Sequence, residues 1–344
     1  MAVTIRDVAR HAGVSPMTVS RVINGSSQVS ASTRAVVEEA VRTLGYVPNV
    51  LARGLSAQRT GTLALIVPDV ANPFFTMVVR GAESIARQAD YRVLLCNTES
   101  DLELERGYVE AMLSHRVEGI LIAPVSDRSI ETICLLEQHA IPTVLVDRSI
   151  EGLARDLVQG DSVGDAQRLV RHLIEAGHRR IAMIAGGQEI STSRDRLRGY
   201  QLALKEAGIG YDPGLVLNSN YATDGGYQAT QRILWREDRP DAIFAINSLV
   251  AVGAVRAIRE QRLDIPGDIA LACFDDIEHA AAICPFLTVM QQPAESYGRI
   301  ATDRLLARID DPDREPPRSI ILSAELIVRE SCGARRRERT NDLR

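Results

Sequence analysis

Apolar residues recur in two different rhythms along this chain, and the change from one to the other divides it. Near the start the rhythm is helical. Ile5, Val8, Ala9 and Ala12 stand at i, i+3, i+4 and i+7, a spacing that puts them on one face of a short helix. Thr4 and Asp7 flank its start as a capping box, and Gly13 ends it, where a left-handed conformation costs glycine little. Val14 packs the turn that follows. Ser15 caps a second helix, and Pro16 takes its first position, where a missing N–H is no loss. That helix is expected over about residues 16–24, with Val19 and Ile23 inward and Met17, Ser20, Arg21 and Asn24 outward. A third helix starts at the cap Ser30, buries Val36, Val37, Ala40, Val41 and Leu44, and stops at Gly45.

After the polar connector Gln58-Arg59-Thr60-Gly61 the rhythm changes. Short, nearly continuous apolar runs at 63–67, 93–96, 119–123, 143–146, 181–185, 242–246 and 269–274 alternate with amphipathic helices. Such runs indicate parallel strands covered on both faces. Glu175-Ala176-Gly177 and Glu206-Ala207-Gly208 read as helix ends between the units. About ten strands exceed what one sheet of this kind holds, so two lobes are expected.

Composition adds two points. The chain has 344 residues, 45% hydrophobic and 25% charged, enough for two or three folding units of ordinary globular character. Its net charge is -5, but the first 60 residues carry seven arginines against Asp7, Glu38 and Glu39, so a +4 end is joined to a −9 body. A basic end on an acidic body points to a polyanion as the partner of that end, although chance surface charge would give the same sum. Cys96, Cys134, Cys273, Cys284 and Cys332 are odd in number and without CxxC spacing. Mostly set in apolar runs, they read as reduced core residues of a cytoplasmic protein. Arg6, Asp7 and Arg10 break up any signal-peptide core, and no stretch approaches the 18 apolar residues of a membrane span.

Two short helices joined by a tight glycine-containing turn match the helix-turn-helix pattern, whose second helix reads the major groove. Arg21 is the candidate for a guanine, because its fork can meet O6 and N7 together. Pro16 and Met17 offer apolar contact to a thymine methyl or simply fill space, and Ser20 shares their face. Thr4, Ser15, Thr18, Asn24, Ser30 and Thr33 suit phosphate contacts, which set register. A three-helix bundle with no DNA role would show the same periodicity.

The strings themselves are more specific. Thr4-Ile5-Arg6-Asp7-Val8-Ala9, Ala12-Gly13-Val14-Ser15, Thr18-Val19-Ser20-Arg21-Val22-Ile23-Asn24-Gly25 and Leu44-Gly45-Tyr46-Val47-Pro48-Asn49 closely resemble the head of lactose-repressor-type (LacI/GalR) regulators. The resemblance implies a head at 1–48 and a hinge helix and linker at 49–60. A two-lobed ligand-binding and dimerisation domain then spans 61–330, and the tail 331–344 is expected to be disordered. Asn49, Ala52 and Leu55 would be the DNA-facing hinge positions, with Leu55 as the minor-groove wedge that partly unstacks a base step. Gly54 should make the free hinge still less helical.

In sheets of this kind sites form at the carboxyl ends of strands. Asp69, Asn72, Phe74 and Phe75 follow the first run, Asp147 and Arg148 the fourth, and Thr192 and Arg196 lie beyond 181–187. Asn247 and Asp275 follow the last two runs. Carboxylates, amides and arginines facing an aromatic ring suit a polyhydroxylated ligand. The blocks Val67-Pro68-Asp69, Asn72-Pro73-Phe74-Phe75, Arg194-Asp195-Arg196-Leu197-Arg198-Gly199-Tyr200, Cys273-Phe274-Asp275-Asp276-Ile277 and Gln291-Gln292-Pro293 extend the resemblance to about Arg329. That part of the family is similar to periplasmic sugar-binding proteins. The resemblance implies a cleft lined by Phe74, Thr192, Arg196, Tyr221, Asn247 and Asp275, and the strand-end reading adds Asp69, Asp147 and Arg148. Ser248 stands where the family often has Asp, and Ile190 where some members place a polar contact. Asp276 reads as a helix cap, Arg198 and Asp195 as a solvated face.

The expected fold is therefore an all-α helix-turn-helix head plus an α/β two-lobed core with two parallel sheets. The expected function is a ligand-responsive regulator binding a near-palindromic operator as a homodimer. Its effector would be a sugar or sugar derivative, with a purine or nucleoside as the alternative. A solute-binding protein would suit the core but not the head. An enzyme with a DNA-docking head is disfavoured because no GxSxG or other nucleophile elbow occurs. Gly186-Gly187 lacks the rest of a phosphate loop, and the six histidines show no metal-ligand spacing, so no cofactor or metal is expected. The tail around Arg335 carries no leucine heptads, so nothing in it supports a tetramer.

Overall fold

The computed structural model describes residues 3–23, 28–46, 60–311 and 315–334, with residues 278–280 described in backbone only. It divides into two compact units, Met1–Gly61 and Thr62–Arg344. In the first, α1 (Ile5–Ala12), α2 (Pro16–Ile23) and α3 (Ala31–Leu44) close on a small core of Val8, Ala9, Val19, Val22, Val37 and Ala40. Gly13 and Gly45 terminate α1 and α3 at φ +67° and +60°, a region that a side chain would strain. Two expectations are corrected. Val36 is 51% exposed rather than part of the stripe, and Val22, not Ile23, is the fully buried partner of Val19. In a helix of eight residues, a shift of one position decides which β-branched side chain meets the core.

The larger unit holds twelve strands: β1 (Thr62–Val67), β2 (Arg92–Asn97), β3 (Gly119–Ile122), β4 (Thr143–Val146), β5 (Asp156–Gly160), β6 (Ile181–Ala185), β7 (Val216–Asn218), β8 (Ala242–Ala245), β9 (Ala270–Phe274), β10 (Thr288–Gln291), β11 (Ser319–Leu322) and β12 (Glu325–Ile327). They form two six-stranded sheets, ordered β11-β5-β4-β3-β1-β2 and β12-β10-β9-β8-β6-β7. Among the described residues all pairings are parallel except β12 on β10. The helices are α4 (Pro73–Gln88), α5 (Leu102–Ser114), α6 (Ile130–Gln138), α7 (Ser162–Glu175), α8 (Ser191–Glu206), α9 (Thr223–Leu234), α10 (Ser248–Glu260), α11 (Glu278–Ile283) and α12 (Ala294–Asp310). The seven apolar runs are all strands. β5, β7, β10, β11 and β12 escape that reading because they are short or carry polar residues such as Asp156, Gln159 and Ser319. β2 departs from the covered pattern: Leu94 and Leu95 are 39% and 46% exposed, because β2 is the edge of its sheet.

The chain passes between the two lobes three times, after β5, after β10 and after β11. These crossings are stitched together. Asp161 N–H donates to Leu322 O at 3.3 Å, and Ala324 N–H donates to Asp165 Oδ2 at 3.1 Å. The first lobe is closed by α12 lying on α4, at a crossing so tight that a Cβ on Gly298 would overlap the Val78 carbonyl and one on Gly81 the Glu295 carbonyl. Gly298→Val is therefore expected to destabilise the core by about 1–3 kcal/mol, the usual cost of overpacking. The measurement is the thermal unfolding midpoint of the chain. An unchanged midpoint would mean that the helices separate without cost.

Candidate functional site

In the smaller unit the hydrogen bonds at the helix starts fix the solvent face of α2. Asp7 Oδ2 accepts from Thr4 N–H at 3.0 Å and from the Thr4 hydroxyl at 2.6 Å. These bonds hold the Asp7 carboxyl below its ordinary range. Ser15 Oγ accepts from Thr18 N–H at 3.1 Å and lies 2.9 Å from the Thr18 hydroxyl. Ser30 Oγ does the same for α3, accepting from Thr33 N–H at 3.3 Å. Burial of Val19 and Val22 turns Pro16, Met17 and Arg21 to solvent, with Ser20 and Thr18 half-buried beside them. Met17 is 63% exposed, an apolar side chain with nothing in the small core to cover it. Asn24, Asn49, Ala52 and Leu55 lie outside the described residues.

In the larger unit the carboxyl ends of the strands bring a polar cluster together from both lobes. Asp147 and Arg148 follow β4, Asp275 follows β9, and Thr192 and Arg196 come from the first turns of α8; each is at most 6% exposed. Arg148 Nη1 donates to Pro124 O at 3.1 Å and Val125 O at 3.2 Å, and its Nε lies 3.8 Å from Asp147 Oδ2. Its guanidinium sits 5.9 Å from the Phe75 ring centre and 5.8 Å from that of Tyr221, between aromatics of the two lobes. Arg196 Nη1 donates to Ile246 O at 2.8 Å, and its guanidinium covers the Phe274 ring at 3.9 Å. The Nε atoms of Arg148 and Arg196 and the Ser248 hydroxyl are buried without a hydrogen-bond partner among the described residues. Orphaned donors in a buried site are costly and call for acceptors.

Three of these residues hold a strained backbone. Asp147, Tyr221 and Asp275 have φ of +66°, +63° and +65°, each just beyond a strand. Such conformations persist where the surroundings over-determine them, and they gather at functional sites. Tyr221 is held by Asn247, whose Nδ2 donates to Tyr221 O at 3.1 Å while its Oδ1 caps α10 at Val250 N–H, 2.8 Å away. Its ring lies so close to Gly186 that a Cβ there would enter it. Burial first, and the neighbouring Asp147 carboxylate, push the Asp275 carboxyl up to about 6, against the opposing pull of Arg196 and Gln292. Burial also raises Asp147, opposed by Arg148 and Arg196.

Asp69 is used locally, its Oδ1 accepting from Ala71 N–H at 2.8 Å. Phe74 is 5% exposed and stands edge-on to Phe75 and to Tyr297, at 5.1 and 5.5 Å between ring centres. Next to it, Ala71, Pro73, Thr76, Met77 and Ile277 line an apolar cavity of about 230 Å³ that reaches Asp275 and Gln292. Two members of the site were not anticipated. Gln292 Nε2 donates to Asp275 Oδ1 at 2.8 Å, and its Oε1 accepts from the Tyr297 hydroxyl at 3.0 Å. Gln292 was visible within the string Gln291-Gln292-Pro293, but Tyr297, inside α12, carried no local signal. Asp276 accepts from Ile277 N–H at 2.9 Å just ahead of α11 and is also an ion-pair partner: Arg329 grips it with Nη1 at 2.9 Å and with Nη2. Ile190 directly precedes α8, 8% exposed and without a side-chain hydrogen bond. Asp195 is half-buried rather than solvated, whereas Arg198 is exposed. Cys284 is exposed, unlike the buried Cys96, Cys273 and Cys332.

A small helix-turn-helix unit joined to a two-lobed core with a buried polar cleft is the arrangement of a ligand-responsive DNA-binding regulator. Comparison with known proteins agrees. A model of "Bacterial regulatory proteins, lacI family" matches residues 4–49, and one of "Periplasmic binding protein-like domain" matches 170–332. The chain is 36% identical to the ribose operon repressor of Escherichia coli (strain K12) over 315 residues, 92% of this chain and 96% of that one. It is 37% identical to the HTH-type transcriptional repressor PurR of Vibrio atlanticus (strain LGP32) over 313 residues, 91% and 93% of the two chains. Among solved structures, the lac repressor dimer bound to operator and the anti-inducer ONPF superposes with a TM-score of 0.81 at 29% identity, covering 96% of this chain and 99% of that one. The transcriptional regulator CelR–cellobiose complex does so with 0.73 at 34% identity and the same coverage. The chain belongs to the lacI family of bacterial regulatory proteins.

Proposed function

We propose that this chain is a cytoplasmic, homodimeric repressor whose operator affinity is set by a small neutral polyhydroxylated effector, a sugar or sugar derivative, held between the lobes. The observation that carries this is the buried quartet Asp147, Arg148, Arg196 and Asp275. It balances two charges of each sign and leaves buried arginine N–H donors for hydroxyl groups. A charge-balanced site does not select a phosphate. Phe74 is flanked edge-on by two rings and is nearly buried, so recognition falls to the polar quartet rather than to stacking. Relatives whose names include ribose and cellobiose support the same class.

Dimerisation is supported by an apolar surface on each lobe. In the first, Leu94 and Leu95 are exposed on β2. In the second, Val252 and Ile283 are 41% and 88% exposed beside a groove of about 240 Å³ lined by Val255, Ala281, Cys284, Phe286 and Leu287. A second copy of the chain would cover these and pair two heads on two half-sites. The five free cysteines suit a reducing cytoplasm. By the same reading, Asn49, Ala52 and Leu55 of the hinge enter the minor groove.

The function is tested by selecting binding sites from a random duplex library at fixed salt, then screening sugars and nucleosides for a change in affinity for the selected site. A near-palindrome is expected, shifted by a sugar. Recovery of no preferred sequence would end the regulator reading. A nucleobase ligand acting alone would replace the sugar.

The effector response should also depend on pH. Asp275 titrates near 6, above its ordinary 3.8, so in the unliganded core it takes up a proton more readily than in the unfolded chain. That contribution to stability is full below pH ~4 and is lost as pH rises through about 6. A hydroxyl donor needs the ionised carboxylate. Effector affinity is therefore expected to fall about tenfold per pH unit below 6, with proton release on binding near pH 6, read by calorimetry in two buffers. Constant affinity from pH 7.5 to 5 would remove Asp275 from the contacts.

A further inference from the structure

Outside the polar cluster, three contacts cross from one lobe to the other at the carboxyl ends of the strands. Arg194 on α8 pairs with both carboxylate oxygens of Asp127, in the loop after β3, and its Nη2 lies 3.3 Å from Asp127 Oδ1. Asp127 N–H donates to Glu189 O at 2.9 Å. Ser149 N–H, in the loop after β4, donates to Ser191 Oγ at 3.0 Å. Arg194 is itself fixed by Gln188 O at 2.8 Å. The covalent crossings between lobes leave from β5, β10 and β11. These three contacts join different segments, the loops after β3 and β4 to the loop after β6 and the first turn of α8.

The loop that carries Asp127 is braced on two further sides. Arg148, at the centre of the cleft, holds its Pro124 and Val125 carbonyls. Beneath it lies Glu105, a fully buried carboxylate on α5 whose Oε2 accepts from Val125 N–H at 2.8 Å and from the Ser129 hydroxyl at 3.0 Å. Burying a carboxylate to hold a loop is expensive, and the result is a loop that cannot relax independently of Arg148. Asp127 and Arg194 touch none of the proposed effector contacts, and both are about one-third exposed.

We propose that Asp127 and Arg194 are positioning residues that latch the two lobes closed over the cleft, with the 124–129 loop carrying the state of Arg148 to the latch. The inference rests on the reading of the cleft as the effector site. It adds which side chains outside the cleft hold the two lobes together.

The test is hydrogen exchange of the full-length chain at the Asp127 and Ser149 amides, without ligand. In Asp127→Ala and in Arg194→Ala, exchange is expected to speed up by about 1.5- to fivefold at both amides, the range for an ion pair about one-third exposed. The charge exchange Asp127→Arg with Arg194→Asp should slow it again. The Ser149 amide decides, because neither residue bonds to it. If it is unchanged in both single variants, the pair is a local surface contact and the latch is overturned. Repeating the measurement with D-ribose as the probe should slow exchange in the parent chain. Opening in the variants with no response to D-ribose anywhere would leave the latch standing and count against the sugar reading.

Discussion

Replacing Arg196 with methionine is expected to abolish the effector response while leaving operator binding intact. The guanidinium is 4% exposed, lies over Phe274 and is an opposing charge that pulls the Asp275 carboxyl down. Methionine keeps most of the volume but removes the fork and the charge. Two charge-assisted hydrogen bonds to the ligand, at about 1.5–3 kcal/mol each, would be lost, so effector affinity should fall by roughly 100-fold or more. Asp275 would then titrate higher still, because the group that holds it down is gone. Operator titrations with and without effector read both effects. Operator binding should survive because the head does not depend on this cluster for its own core. Arg196→Lys separates charge from geometry: it should recover only part of the response, since an ammonium cannot reproduce the fork. A methionine variant that still responds at the parent's effector concentration would move the site elsewhere.

Arg21→Ala should produce the second large effect, on DNA. Arg21 is exposed on α2, so its removal should leave stability within about 0.5 kcal/mol. A bidentate arginine–guanine contact discriminates by about 1–3 kcal/mol. In a dimer the loss occurs in both half-sites, so operator affinity should drop by roughly 30- to 1,000-fold or beyond, with preference relaxed at one symmetric base pair. The salt dependence distinguishes the roles. A base contact leaves the slope of affinity against salt nearly unchanged, whereas a phosphate contact weakens all sequences alike and lowers the slope by about one per arginine. Equal weakening on random duplex would reassign Arg21 to the backbone.

Much of this protein was legible without its structure, and the legible parts share a property. The caps at Thr4, Ser15 and Ser30, the stops at Gly13 and Gly45 and the seven apolar strands are each decided within a few residues. A side-chain oxygen meets an amide three positions away, and an apolar run of four or five residues forms a strand. The same local rules misplace what depends on position in the sheet. Leu94 and Leu95 belong to an apolar run like the others, yet β2 is an edge and they face outward. β5 and β11 carry polar residues because they lie toward the other edge, beside the crossings between lobes.

The chain by itself thus determined the two units, their elements and the residue types at the strand ends, because periodicity and capping act at short range. Only the tertiary structure decided which of those ends meet. Arg148 and Phe75 come from the first lobe and Tyr221, Arg196 and Asp275 from the second, while Gln292 and Tyr297 reach Asp275 along a chain that crosses back between them. Their proximity follows from strand order and from three crossings, which no local window contains. Their burial, once together, raises Asp275, orphans the Nε of Arg196 and makes a cleft out of residues that are individually ordinary.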